Sequence, residues 1–121
     1  MGREAIMVSR SFGDLQFKHG DKLPKGEALL LCTPSVSVRA LRPEHLCAVV
    51  ASDGFWDVIS DDRAAGLVLE GFRESSGPPA WTEERARQCA RALVEEALRA
   101  KTKDNVSVAV LGFRWDGTGS G

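Results

Sequence analysis

The residues best suited to chemistry in this chain are acidic. Asp53 follows directly on Leu46-Cys47-Ala48-Val49-Val50-Ala51, the longest apolar run, and Asp104, in Lys103-Asp104-Asn105, stands just ahead of the β-branched, alternating run from Val106 to Phe113. A short run apolar at every position reads as a central strand covered on both faces, and an alternating one as a strand with one buried face. If the two pair antiparallel, the end of the first adjoins the start of the second, and both carboxylates emerge at one edge of the sheet. Gly54 lets the backbone turn sharply there. Asp57, four residues past Asp53, reaches the same edge if Phe55 to Ile59 forms a helical turn. Oxygen ligands with no histidine beside them suit Mg²⁺ or Mn²⁺ rather than Zn²⁺. The competing reading is structural, because Asp-Gly and Asp-Asn dipeptides are also ordinary turn and capping chemistry.

Other reactive residue types carry less. Cys32, Cys47 and Cys89 form an odd set with no C-x-x-C pair, so they read as small buried hydrophobes rather than a zinc or redox site. The sixth residues after them are Val38, Asp53 and Glu95, so the cysteine-to-arginine spacing of a tyrosine-phosphatase phosphate cradle is absent. Arg10 and Asp14 suggest a salt bridge or turn clamp at a strand end, with phosphate binding by Arg10 as the alternative. His19 and His45 fall in a flap and a turn, where a solvated histidine is the expectation and a general acid the alternative.

The elements that must position the carboxylates follow from periodicity. Ala5-Ile6-Met7-Val8 reads as a strand ending in the turn Ser9 to Asp14. Residues 15–33, rich in Gly, Pro and charge, read as a flap-like surface loop, and its part from Leu15 to Leu31 is where substrate choice would be encoded. Ser35 to Leu41 alternates small or polar with apolar residues, the pattern of a half-buried strand, and Arg42-Pro43-Glu44-His45 turns the chain. Ser60, followed by Asp61 and Asp62, predicts the N-cap of a helix of about three turns, buried through Ala65, Val68, Leu69 and Phe72. Thr82 with Glu83 and Glu84 opens a second helix whose apolar positions are Ala86, Cys89, Ala90, Leu93, Val94, Ala97 and Leu98. The expectation is an α/β (α+β) arrangement, an antiparallel sheet with two flanking helices. Those helices cover only one face of a sheet whose central strand is apolar on both. Residues 116–121 read as a disordered Gly-rich tail.

Length and charge exclude several classes. A chain of 121 residues supports one domain at most. Sixteen Lys+Arg balance seventeen Asp+Glu, giving a net charge of −1, so no basic field exists to hold nucleic acid or an anionic membrane. A different metal-dependent hydrolase acting on nucleic acid is disfavoured for the same reason. No run approaches the roughly 20 apolar residues of a membrane span, and Met1-Gly2-Arg3-Glu4 opens no signal-peptide core. The expected location is intracellular, in cytoplasm or nucleus.

Three motifs then carry a resemblance. In order, Val8-Ser9-Arg10-Ser11-Phe12-Gly13-Asp14, Ala51-Ser52-Asp53-Gly54-Phe55-Trp56-Asp57-Val58-Ile59-Ser60 and Lys103-Asp104-Asn105-Val106-Ser107-Val108 resemble the C-terminal motifs of PP2C-type (PPM) metal-dependent serine/threonine protein phosphatases. The likeness runs from Gly2 to Phe113, and an S-D-G-x-W-D segment followed by D-N-x-S/T-V is specific. The resemblance implies a partial α-β-β-α sandwich over residues 1–115 and hydrolysis of phosphoserine or phosphothreonine on a protein substrate. It implies that Asp53 and Asp104 hold an ion of a dinuclear Mg²⁺ or Mn²⁺ centre, and that Asp57 belongs to a further, weaker metal site. In such a centre two cations about 4 Å apart acidify and orient a shared water for in-line attack on phosphorus. Asn105 then supports Asp104 rather than binding metal, and Trp56 anchors the core beneath the site, with substrate stacking as the alternative.

The family's N-terminal glutamate–aspartate motif, phosphate-binding arginine and Asp-Gly-His-Gly segment are not found in this sequence. The chain therefore reads as the C-terminal half of a phosphatase domain. No residue of it is assigned a catalytic role, and the missing half is its expected partner. Two carboxylates cannot fill the six oxygen positions that a hard cation takes, so the chain alone is expected to be nearly inactive. The alternative function is a non-catalytic scaffold or pseudophosphatase module binding a protein partner.

Overall fold

The two runs flanking the acidic residues do pair. In the computed structural model, which describes residues 7–18, 30–74 and 80–115, β1 (Cys47–Ala51) and β2 (Val108–Gly112) form a two-stranded antiparallel sheet. Its register runs from Cys47 opposite Gly112 to Ala51 opposite Val108. Successive residues of a strand face opposite sides of the sheet, so Cys47, Val49 and Ala51 share one face with Val108 and Val110, and this face packs on the core. Gly112 completes it beneath Trp81, whose ring atoms come so close that a Cβ at this position would lie 2.3 Å from them. The other face carries Val50 and Leu111, 60% and 49% exposed.

Three helices follow β1 or precede β2. The first is the short α1 (Asp53–Trp56), and the second is α2 (Asp61–Glu74). Ser60 starts α2 as the pattern predicts, its Oγ accepting from the Arg63 amide at 3.3 Å. Thr82 caps α3 (Glu83–Arg99) in the same way, accepting from the Arg85 amide at 3.1 Å. The core is Phe55, Ile59, Ala64, Val68, Trp81, Cys89, Leu93 and Ala97, drawn from all three helices, the link between α1 and α2, and the segment before α3. Arg63 of α2 pairs with Glu96 of α3 at 2.7 Å across the helix pair. The C-terminus of α3 closes in a Schellman motif: the Lys101 amide donates to the Leu98 carbonyl at 3.0 Å and the Thr102 amide to Ala97 at 3.3 Å. Lys101 takes the left-handed conformation this requires, with φ 58°.

The chain divides into two compact units, Met1–Ala40 and Leu41–Gly121. All the elements above lie in the second. In the first, Leu15–Phe17 form one 3-10 turn after Gly13 and Asp14, both at positive φ, and Arg10 bridges Leu31 in parallel.

Several expectations need correction. Ser35 to Leu41 is not a strand: Val36 and Val38 are 80% and 92% exposed, and no ladder pairs with the segment among the described residues. Alternation makes a strand only where a neighbouring strand supplies hydrogen-bond partners. Among the described residues β1 is covered on one face only, where Cys47, Val49 and Ala51 pack on the core, while Val50 on the other is exposed. The buried stripe of α2 is rotated by one residue, through Ala64 and Val68, leaving Ala65 and Leu69 exposed, and on α3 Leu98 is exposed as well. Phe55, fully buried, is the anchor expected of Trp56, which stands edge-on to it at 4.8 Å and is 37% exposed. Cys32 is exposed and Cys47 only half-buried, whereas Cys89 is buried. Arg10 hydrogen-bonds Ser35 Oγ at 2.7 Å, and no ion pair joins it to Asp14. The strand expected at residues 5–8 lies partly, and His19, most of the flap and the 116–121 tail lie wholly, outside the described residues.

Candidate metal centre

The ladder continues one step past the strands. The Ser52 amide donates to the Ser107 carbonyl at 3.0 Å, and extending that register sets Gly54 opposite Asn105. The approach there is close enough that a Cβ on Gly54 would lie 2.2 Å from the Asn105 carbonyl oxygen and 3.2 Å from Asp104 Cβ. Asp53 and Asp104 thus sit on one rim of the sheet, on two backbones in contact.

Each carboxylate is held by the amide that follows it. Asp53 Oδ1 accepts from Gly54 N at 2.8 Å, and Asp104 Oδ1 accepts from Asn105 N at 2.7 Å. Both residues are exposed, and a carboxylate has acceptor capacity for further ligands beyond one such bond. Asp57 is also exposed, at the C-cap of α1, its amide donating to the Asp53 carbonyl at 2.8 Å.

Two hydroxyls clasp the segments together. Ser52 Oγ accepts from Ser107 N at 3.1 Å and donates to the Asn105 carbonyl at 3.3 Å. Thr102 Oγ1 donates to the Gly54 carbonyl at 2.7 Å and accepts from Asp104 N at 3.4 Å. Reasoning from the sequence missed both. The available signal was their spacing, a small hydroxyl residue immediately before Asp-Gly and another two positions before Asp-Asn.

The donors present are hard anionic oxygens at the end of an apolar ribbon, which suits Mg²⁺ or Mn²⁺ in chemical type. In number they are a share of such a site: among the described residues no three or more His, Cys, Asp or Glu side chains gather into a group able to hold a metal. His45 lies away from this rim, in the turn before β1, where its Nδ1 accepts from the Arg42 amide at 2.9 Å. An apolar groove of about 420 Å³, lined by Leu46, Trp56, Leu69, Phe72 and Trp81 among others, includes neither Asp53 nor Asp104 in its walls.

Comparison with known proteins agrees with the motifs. Residues 3–106 match the family described as Protein phosphatase 2C. The "Probable protein phosphatase 2C 63" of Arabidopsis thaliana is 33% identical over 108 residues, covering 79% of this chain and 26% of that protein. The "Probable protein phosphatase 2C 43" of the same plant is 32% identical, covering 89% and 24%. In Oryza sativa subsp. japonica, the "Probable protein phosphatase 2C 2" is 31% identical, covering 89% and 26%. The chain spans about a quarter of the length of these relatives. With a family match over most of its residues and the three motifs in order, this chain belongs to the Protein phosphatase 2C family.

Proposed function

We propose that the chain supplies the C-terminal part of a metal-dependent protein serine/threonine phosphatase, with Asp53 and Asp104 sharing a Mg²⁺ or Mn²⁺ ion and Asp57 contributing to a further, weaker site. The observation that carries the reading is the close approach of Gly54 to Asn105, which brings two exposed carboxylates to one rim in a member of this family. When bound, the cations supply an activated water and offset charge on the phosphoryl oxygens. The chain's own residues orient ligands: the Gly54 and Asn105 amides fix one oxygen of each carboxylate and so set the direction of the other. The substrate is a phosphorylated protein, and the remaining ligands come from the rest of a PP2C domain. The same reading puts the chain in the cytoplasm or nucleus, reducing compartments where Cys32, Cys47 and Cys89 stay free thiols.

The test is Mn²⁺-dependent phosphate release from a phosphoserine peptide. The chain alone is expected to release little. The chain with the remainder of a PP2C domain supplied in trans is expected to turn over, and Asp53→Asn or Asp104→Asn abolishes the gain. Robust turnover by the chain alone refutes its dependence on the other part.

A second reading, a non-catalytic scaffold binding a protein partner, is favoured by the bare apolar face at Val50 and Leu111. It predicts no calorimetric heat with Mn²⁺ and no effect of either asparagine substitution.

A further inference from the structure

The two clasp hydroxyls do different work. Ser52 bonds across the end of the ladder, where a strand ending needs its backbone groups satisfied in any case. Thr102 bonds between the two backbone segments that carry the carboxylates: its Oγ1 holds the Gly54 carbonyl, one residue from Asp53, and meets the Asp104 amide itself. Its own position is set from behind by the Schellman closure of α3, through the Thr102 amide on the Ala97 carbonyl. Ala97 is fully buried, so the closure ties Thr102 to the core through the end of α3.

We propose that Thr102 is a positioning residue for the cation site, fixing the separation of Asp53 and Asp104 through its single hydroxyl; this rests on the reading that the two carboxylates share an ion. A carboxylate pair on two loops binds a hard cation well only when its spacing is set beforehand, because otherwise the ordering cost falls on binding. Groups that orient metal ligands without touching the metal typically change affinity 10–100-fold when removed. Thr102→Val keeps the shape and β-branching and removes only the hydrogen bonds, whereas Thr102→Ser keeps the hydroxyl.

The experiment is a Mn²⁺ titration of the 121-residue chain followed by paramagnetic broadening of the Gly54 and Asn105 amide resonances, with thermal melting recorded on the same samples. Wild type is expected to broaden at both amides and Asp53→Asn is not. Thr102→Val is expected to need about tenfold more Mn²⁺ than wild type, and Thr102→Ser to return to the wild-type midpoint. A Thr102→Val chain that melts lower but titrates at the wild-type midpoint overturns the positioning role and leaves the shared-ion reading standing. Wild type with no broadening at either amide, or broadening unchanged in Asp53→Asn, overturns the shared-ion reading and the positioning role with it. If Thr102→Val does not fold, Thr102→Ala is read in its place, and a wild-type midpoint there overturns the proposal.

Discussion

Replacing Gly54 by alanine adds one methyl group where two chain segments already touch. A Cβ there falls 2.2 Å from the Asn105 carbonyl oxygen and 3.1 Å from its carbonyl carbon. This is about 1 Å inside ordinary contact distance. The obstructing atoms are backbone, so no rotamer change relieves them, and the 104–105 segment must move outward. Overpacking of this kind costs about 1–3 kcal/mol, and the displaced Asn105 carbonyl puts its hydrogen bond to Ser52, about 1 kcal/mol, at risk. Opposing this, alanine is favoured over glycine inside a helix by about 0.5–1 kcal/mol, and Gly54 lies in α1. The balance is a destabilisation of about 2 kcal/mol. For a unit of this size that lowers the melting midpoint by roughly 8–16 °C. Circular dichroism melts of the wild-type and Gly54→Ala chains measure it. The two effects have opposite signs, so a Gly54→Ala chain that melts at or above wild type refutes the close approach and, with it, the shared rim.

Three further outcomes are expected. The Arg63 guanidinium, hydrogen-bonded to Glu96 at 2.8 Å, together with Arg99, holds the Glu96 carboxyl below its ordinary value of 4.5. Its contribution is therefore present above the unfolded value and is lost as pH falls through the folded one. The gap in urea midpoint between wild type and Glu96→Gln should narrow as pH falls below the ordinary carboxyl value of 4.5, and a gap independent of pH contradicts the pairing. Burial raises the thiol pKa of Cys47 and of Cys89, whereas Cys32 is exposed, so a thiol reagent at neutral pH should label Cys32 first. Peptide mapping that finds Cys89 labelled equally fast argues against the packed α2–α3 interface. Lys101→Gly should raise stability by up to about 1 kcal/mol by relieving a left-handed residue, while Lys101→Ala leaves it unchanged. Urea titration distinguishes them.

The parts of the fold legible in the sequence were those set by local chemistry. Ser60 and Thr82 start their helices because a hydroxyl before a run of acidic and apolar residues is itself the capping signal. The antiparallel pairing of β1 with β2 was inferable because both runs are strongly β-forming and each abuts a turn signal. What was not legible depended on long-range neighbours. Ser35 to Leu41 has the alternation of a strand, but alternation says nothing about whether an adjacent ladder exists. Phe55 rather than Trp56 enters the core, and the sequence could not show which ring points inward because no periodicity can be read from the four residues of α1. At the rim, the acidic residues and Gly54 stood out by type. Ser52 and Thr102 did not, since a hydroxyl between two backbones looks in sequence like any solvent-facing one.

The order of elements along the chain bears on how the rim comes into being. β1 and β2 are neighbours in space, yet α1, α2 and α3 all lie between them in sequence. Closing that loop has an entropic cost that falls due before the strand contacts reward it, so these contacts are expected to form late in folding, after local helices have docked. The carboxylate pair is accordingly a product of completed folding rather than a seed for it. On the proposed shared-ion reading, divalent ions should slow the unfolding of this chain and leave its refolding rate nearly untouched, since the rim would assemble after the transition state.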